Sequence, residues 1–172
     1  MRYININYSE MTKHELNHLL KEAEYYELGP IIDYLKSKQT AIQFVKLHVN
    51  NYYYSGNRLV GTNKLSDLYD INLNTGICTG YTGVIEIELD RQYEFEKIEL
   101  GGFCGDVNFG YNSGAGAQIL TSKDKQVWNS VGRIPYDIEK IVNLSIKRTF
   151  AKYIKFDSTG YIGLGYLKII PN

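Results

Sequence analysis

Residues 117–131 read AQILTSKDKQVWNSV and contain the clearest strand pattern of the chain. Apolar and polar side chains alternate over 117–122, and residues 127–131 form a second β-prone segment after a polar turn. This pattern predicts a β-hairpin. Trp128 follows the turn directly. We expect its large ring to be buried at one end of a core between two sheets.

Further segments of the chain share the alternation that is typical of half-buried strands: 41–49, 84–89, 93–100, 141–146, 151–156 and 164–170. Asp90–Gln92 predicts a turn that folds 93–100 back on 84–89. Within 93–100 the apolar side chains change from odd positions to even positions before Ile98, which predicts a bulge. Together the segments predict a mainly β fold, an antiparallel jelly-roll β-sandwich of about eight strands.

The first forty residues have a different pattern. Residues 3–8 predict a short strand, and Thr12 with Glu15 forms a capping-box sequence before leucines at helical spacing. Gly29-Pro30 predicts the end of one helix, with Gly29 in the left-handed turn, and the start of a second. The chain is therefore divided into an N-terminal helical hairpin, 1–40, and a sandwich domain, 41–172.

Composition and charge exclude some classes of function. The 172 residues carry 19 basic and 19 acidic side chains, so the formal net charge is zero. A chain without excess positive charge is not expected to bind nucleic acid through its overall charge. No apolar run is long enough for membrane insertion, and no secretion leader follows Met1. With Cys78 and Cys104 as the two cysteines, these features predict a cytoplasmic protein with reduced thiols, in a host cell or virion if the source is viral.

The quoted hairpin, with the spacing S-x-D-x-x-x-W over 122–128, resembles the discoidin or coagulation-factor type C domain, a galactose-binding-like jelly roll. The segments VIEIEL with YEFEKIEL and TFAKYIKF with GYLKI are similar to other strands of that family, so the resemblance covers about 41–170. Upstream, LLKEAEYYELGPIIDYLKSK (19–38) resembles the closing helix pair of a BTB/POZ domain of the potassium-channel tetramerisation type.

The discoidin resemblance implies that loops at one end of the sandwich bind the ligand. The first predicted ligand rim consists of Tyr52, Tyr53, Tyr54 and Arg58. The second lies in the glycine-rich segment 101–116, where Phe109, Tyr111 and Asn112 are the predicted contacts. Packing of the first rim's tyrosines against the helical hairpin or against another subunit remains an open alternative.

Two segments of the sequence are similar to metal sites. The family resemblance over 64–79 implies a structural calcium held by Asp70, Asn72 and Asn74, because calcium prefers oxygen ligands; Asx turns that fold the loop are the favoured alternative. His14-Glu15-Leu16-Asn17-His18 matches the H-E-x-x-H pattern of zinc metallopeptidases. Glu15 serves better as a helix cap, and no third ligand follows at a recognised spacing, so two solvated histidines are favoured.

The function predicted from these features is non-enzymatic. Sandwich loops would recognise a protein or glycan partner, while the helical hairpin contributes to assembly, as in an adaptor. The alternatives are a structural homo-oligomer, for example of a virus, without a small ligand, and a zinc metallopeptidase that uses His14, Glu15 and His18. No cofactor is expected apart from the calcium.

Overall fold

The computed structural model describes residues 13–40, 42–55, 58–69, 71–102, 114–136 and 141–172. The chain divides into two compact units, residues 1–41 and 42–172. Within the described ranges, none of the helices combines the length and the apolar character that crossing a bilayer requires.

The N-terminal unit contains two helices, α1 (Lys13–Tyr25) and α2 (Gly29–Thr40). Leu16, Ala23 and Leu35 are buried between them. The Leu28 N–H donates to the Ala23 carbonyl at 3.0 Å, and Glu27 lies in the left-handed region with φ 54°. This Schellman end places Glu27, and not Gly29, at the left-handed position, because Gly29 already begins α2.

The second unit is a mainly β antiparallel sandwich, which confirms the predicted fold class. Its described part has a short 3₁₀ helix over Leu65–Leu68 and eight strands: β1 (Phe44–Tyr52), β2 (Tyr54–Ser55), β3 (Arg58–Leu59), β4 (Ile77–Gly102), β5 (Gln118–Ser122), β6 (Asn129–Arg133), β7 (Ile141–Asp157) and β8 (Gly163–Pro171). The larger sheet has the order β1-β4-β7-β5-β6, and β8 pairs with β4.

The predicted turn at Asp90–Gln92 is wrong, because residues 84–89 and 93–100 belong to one continuous strand, β4. Strand β7 is long enough to pair with both halves, with Glu88 opposite Tyr153 and Tyr93 opposite Ala151. The extra residues of β4 between these pairs form a bulge, and bulges let a strand bend from one layer of a sandwich into the other. The predicted irregularity before Ile98 is confirmed by a second register shift, between Phe95 and Lys97.

The central hairpin is confirmed, since β5 and β6 pair antiparallel around the turn. The predicted role of Trp128 is wrong: its ring is half-buried, and the Lys155 Nζ lies 4.1 Å from the ring centroid. The reason is the face of the sheet that the ring meets. Lys155 lies between buried Ile154 and Phe156 on β7 and therefore points outward, and Trp128 packs against it on that outer face.

The core is continuous across the sandwich because the buried positions of β1, β4, β5, β7 and β8 all contribute to it. Its largest fully buried side chains in the sandwich are Phe95, Phe156, Leu68, Ile77, Ile85, Ile87, Leu89, Ile98, Leu100, Ile119 and Ile154. Burial at every second position of 85–89 and 117–121 follows the predicted alternation.

Two buried tyrosines make the stability of the sandwich sensitive to high pH. The Tyr93 hydroxyl donates to Asp90 Oδ1 at 2.8 Å, and the Tyr166 hydroxyl donates to Glu99 Oε2 at 3.2 Å. Burial first, and the neighbouring carboxylate second, raise the pKa of both tyrosines above the usual 10.0. The unfolded chain loses these protons near pH 10 while the folded chain keeps them, so stability is full below pH 10 and falls above it.

Urea unfolding at about pH 8 and about pH 11 measures this loss. Tyr93→Phe and Tyr166→Phe are each expected to reduce the pH dependence, whereas Tyr26→Phe, a change at an exposed helix end, leaves it unchanged. Equal pH dependence in all of these variants would contradict the assignment.

Candidate ligand-binding site

Three tyrosines that lie far apart in sequence meet at one end of the sandwich. The Tyr81 and Tyr161 ring centroids are 4.2 Å apart, and the Tyr53 ring meets Tyr161 edge-on at 5.2 Å. We call Tyr53, Tyr81 and Tyr161 the tyrosine cluster. Tyr53 and Tyr161 are half-buried and pack on Val60 and Cys78, while Tyr81 is 62% exposed. The cluster thus has a fixed inner side and an outer aromatic surface.

Backbone hydrogen bonds hold the cluster's elements together. The Tyr53 N–H donates to the Cys78 carbonyl at 3.3 Å. The Thr79 N–H donates to the Ile162 carbonyl at 2.9 Å, and the Ile162 N–H donates to the buried Thr79 hydroxyl at 3.0 Å. Since Ile162 follows Tyr161 directly, the Thr79 side chain fixes the backbone that carries the central ring of the cluster.

Tyr81 is presented by an unusual local backbone. Asn51 and Thr82 both adopt left-handed conformations, with φ of 51° and 56°. The Asn51 side-chain amide donates to the Tyr81 carbonyl, and the Val84 N–H donates to Asn50 Oδ1 at 2.6 Å. Non-glycine residues with positive φ are uncommon and often occur at functional sites. Two side-chain amides therefore tie β1 to the irregular stretch of β4 that exposes the Tyr81 ring.

The cluster's polar groups are phenolic hydroxyls. Desolvation, followed by a hydrogen bond with Tyr81, raises the pKa of Tyr161 above its usual value. The ring therefore stays neutral throughout the physiological range. An aromatic surface of tilted rings, edged by phenolic hydroxyls, suits a ligand that has both apolar C–H faces and hydroxyl groups.

Part of the predicted first rim lies at this end of the sandwich. Tyr53 belongs to the tyrosine cluster, and Tyr52 and Tyr54 on either side of it are 38% and 56% exposed. Arg58 pairs with Ser55 through its backbone in the β2–β3 hairpin, and its side chain lies outside what the structure describes. The second rim, Phe109, Tyr111 and Asn112, also lies outside the described residues.

Sequence reasoning missed Tyr81 and Tyr161. Both follow a glycine and precede a core strand residue by a few positions, in Gly80-Tyr81 and Gly160-Tyr161. A glycine within or beside a strand pattern is a weak signal of an irregular backbone at that point. Only the pairing of Thr79 with Ile162 shows that the two tyrosines are neighbours.

The predicted calcium loop has Asx-turn geometry where it is described. The Asn72 side-chain oxygen accepts the Asn74 N–H at 3.2 Å, and the Thr75 hydroxyl donates to the Asn72 carbonyl at 2.9 Å. Asp70 lies outside the described residues, so the calcium site remains a prediction.

The predicted zinc ligands lie at the start of α1. Exposed His18 approaches Glu22, with 3.7 Å between Nδ1 and Oε1. The His14 side chain is not among those described. Among the residues that are, no group of three His, Cys, Asp or Glu side chains has the geometry to hold a metal ion.

No family model matches this chain, and no curated protein matches it in sequence. Solved structures are nevertheless similar in fold. A pectin-binding carbohydrate-binding module aligns with a TM-score of 0.54 and 18% identity, covering 76% of this chain and 91% of that one. The CBM32 of AlyQ in complex with 4,5-unsaturated mannuronic acid has a TM-score of 0.56 and 15% identity, covering 76% and 98%.

A Clostridium perfringens module, CpGH89CBM32-5, in complex with GalNAc-β-1,3-galactose aligns with a TM-score of 0.54 and 16% identity, covering 73% of this chain and 94% of that one. At this level of identity the similarity concerns the fold. The sandwich therefore has the galactose-binding-like, discoidin-type fold that is also found in family 32 carbohydrate-binding modules.

Proposed function

We propose that the sandwich is a non-enzymatic glycan-binding module and that the tyrosine cluster is its sugar-binding surface. The observation that carries this proposal is the packing of Tyr81 on Tyr161, which leaves an exposed ring beside neutral hydroxyls. Sugars present C–H groups on one face and hydroxyls at the edge, so they complement such a surface. Tyr53 supports Tyr161 from the inner side.

The solved structures of similar fold support this choice over a protein ligand. Two of them hold a sugar, GalNAc-β-1,3-galactose in one and 4,5-unsaturated mannuronic acid in the other. A neutral sugar is the favoured class for the tyrosine cluster, because the described side chains of the cluster carry no charge at neutral pH.

A role in assembly belongs to the N-terminal unit in this proposal. Its small core leaves apolar side chains such as Tyr25, Leu28 and Ile31 exposed, and such surfaces are often covered by a partner. The BTB/POZ resemblance over 19–38 points in the same direction. The resulting function is that of an adaptor, in which the helices assemble and the sandwich recognises the glycan. The cytoplasmic location remains part of the proposal.

Removal of the central ring is expected to abolish most sugar binding. Tyr161→Ala takes away the ring that both other tyrosines contact, and losing a central aromatic contact of a binding site lowers affinity by about thirtyfold or more. A glycan array identifies the ligand, and titration calorimetry of the best neutral glycan then measures the affinity of each variant. Tyr25→Ala, at an 81% exposed tyrosine of the helical unit, is the control and is expected to bind normally.

Two outcomes would contradict the proposal. One is unchanged glycan affinity in Tyr161→Ala, provided that its melting temperature stays near that of the unmodified protein. The other is the absence of any array signal together with a lower mass of Tyr161→Ala in light scattering. That second result would favour the structural homo-oligomer, in which the tyrosines form subunit contacts.

A further inference from the structure

A second concave site lies away from the tyrosine cluster. It is a pocket of about 130 Å³ between the β5–β6 turn and residues 149–150 of β7. Its lining side chains are Thr121, Ser122, Lys123, Asp124, Val127, Asn129, Thr149 and Phe150. At the first residue of β5, Gln118 pairs with Asp157, which is four residues before Tyr161 of the cluster. At the last residue of β5, Ser122 pairs with Tyr153. The pocket therefore lies at the opposite end of β5 from the tyrosine cluster.

Two threonine hydroxyls lie side by side in the lining of the pocket. Thr121 Oγ1 and Thr149 Oγ1 are 2.9 Å apart, and Thr121 is 1% exposed. A hydrogen bond between two hydroxyls uses one O–H and leaves the other free to donate. Ser122 is occupied by the turn, because its hydroxyl accepts the Lys125 N–H at 2.9 Å. The threonine pair thus offers one donor to an acceptor in the pocket.

The rim adds a cation and an apolar wall. Lys123 Nζ lies 5.4 Å from the Phe150 ring centroid, and Phe150 is 47% exposed. The neighbouring Lys125 and Lys152 are neutralised by Glu86 and Glu88. In the part of the chain that the structure describes, Lys123 has no such carboxylate partner.

The other charged group of the pocket is directed into the turn. Asp124 Oδ1 accepts the Gln126 N–H at 2.9 Å. The hydrogen bond from the Gln126 backbone, and after it the one from Val127, hold the pKa of Asp124 below its usual range, and desolvation opposes them. Asp124 therefore stays ionised, with its charge stabilised by backbone amides of the turn. Lys123 is the cationic group of the rim.

We propose that this pocket is a second sugar site and that it takes a carboxylate-bearing sugar, a uronate. The carboxylate would accept hydrogen bonds from the Lys123 ammonium and from the threonine pair, while the C–H face of the sugar ring packs on Phe150. A sugar fits better than a peptide carboxylate, because the pocket offers side-chain hydroxyls rather than free backbone groups to its ligand. The site is independent of the tyrosine cluster and does not rest on its function.

The test is a titration of the ¹⁵N-labelled protein with trigalacturonic acid, followed by amide chemical shifts of residues 123–127 and 149–150. Lys123→Gln is expected to weaken this binding by about tenfold, since hydrogen bonds to charged groups are among the stronger ones. Lys97→Gln is the matched control at another exposed lysine, and it is expected to bind as the unmodified protein does. Added salt is expected to weaken binding.

Four results would contradict the uronate site. The first two are the absence of chemical-shift changes at the pocket and changes that Lys123→Gln leaves as large as before. The other two are equally strong binding of the methyl ester of the trisaccharide and equally large shift changes with an acidic peptide. Tyr161→Ala is included because it separates the two sites. It is expected to retain uronate binding at the pocket while losing neutral glycans, so failure of one proposal leaves the other standing.

Discussion

Phe95→Ala is expected to destabilise the sandwich by about 3–5 kcal/mol, the usual range for removing a buried phenylalanine ring. Phe95 is fully buried and lies just after the bulge where β4 bends between the two layers. It pairs with Thr149 on one side and Pro171 on the other. Phe95 belongs to the continuous core, and close-packed interiors relax only in part around the cavity that alanine leaves.

Urea unfolding, followed by circular dichroism, measures this loss. Phe95→Leu keeps most of the volume and is expected to lose less than about half as much. Phe150→Ala is the matched surface control, because Phe150 is 47% exposed. A loss below about 1 kcal/mol for Phe95→Ala would mean that the two layers do not share one core at this point.

Gly83→Ala is expected to cost about 1–3 kcal/mol through overpacking and also to weaken glycan binding. A Cβ at this position would lie 1.8 Å from Thr79 Oγ1 and 2.9 Å from the Gly80 carbonyl oxygen. Thr79 must then move. Its hydroxyl accepts the Ile162 N–H, so the movement displaces the backbone that carries Tyr161.

Thermal unfolding and titration with the glycan identified on the array measure the two effects. Gly160→Ala is the control, because its added Cβ would meet Ser158 Oγ at 3.7 Å, an ordinary contact distance. Unchanged melting temperature and unchanged affinity in Gly83→Ala would show that the Thr79 contact does not position the tyrosine cluster.

Much of the sandwich was predictable because the determining information is local. Alternation of side chains predicted which faces of 84–89, 93–95 and 117–121 are buried, since successive strand residues point to opposite faces. The β5–β6 hairpin followed from its polar turn, where the Ser122 and Asp124 side chains bind backbone N–H groups of the same turn. The ligand rim was predicted only in part, through Tyr53 and its neighbours.

Other predictions failed because a local signal was overruled by strand pairing. Asp90–Gln92 has turn composition, but β7 pairs with the chain on both sides of it, so the residues form a bulge in β4. Trp128 is the largest aromatic ring in the chain, yet it packs on Lys155, on the face of β7 opposite to buried Ile154 and Phe156. Burial of a side chain depends on which face of the sheet it meets as well as on its hydrophobicity.

The amino-acid sequence by itself determined the strand pattern, the helical hairpin and the faces that enter the core, because side-chain period and turn chemistry act over a few residues. Only the tertiary structure decided which tyrosines form the candidate site. Tyr53, Tyr81 and Tyr161 are separated by 28 and 80 residues and meet through hydrogen bonds between β1, β4 and the segment before β8. Such contacts depend on the register of distant strands, and no short stretch of sequence encodes that register.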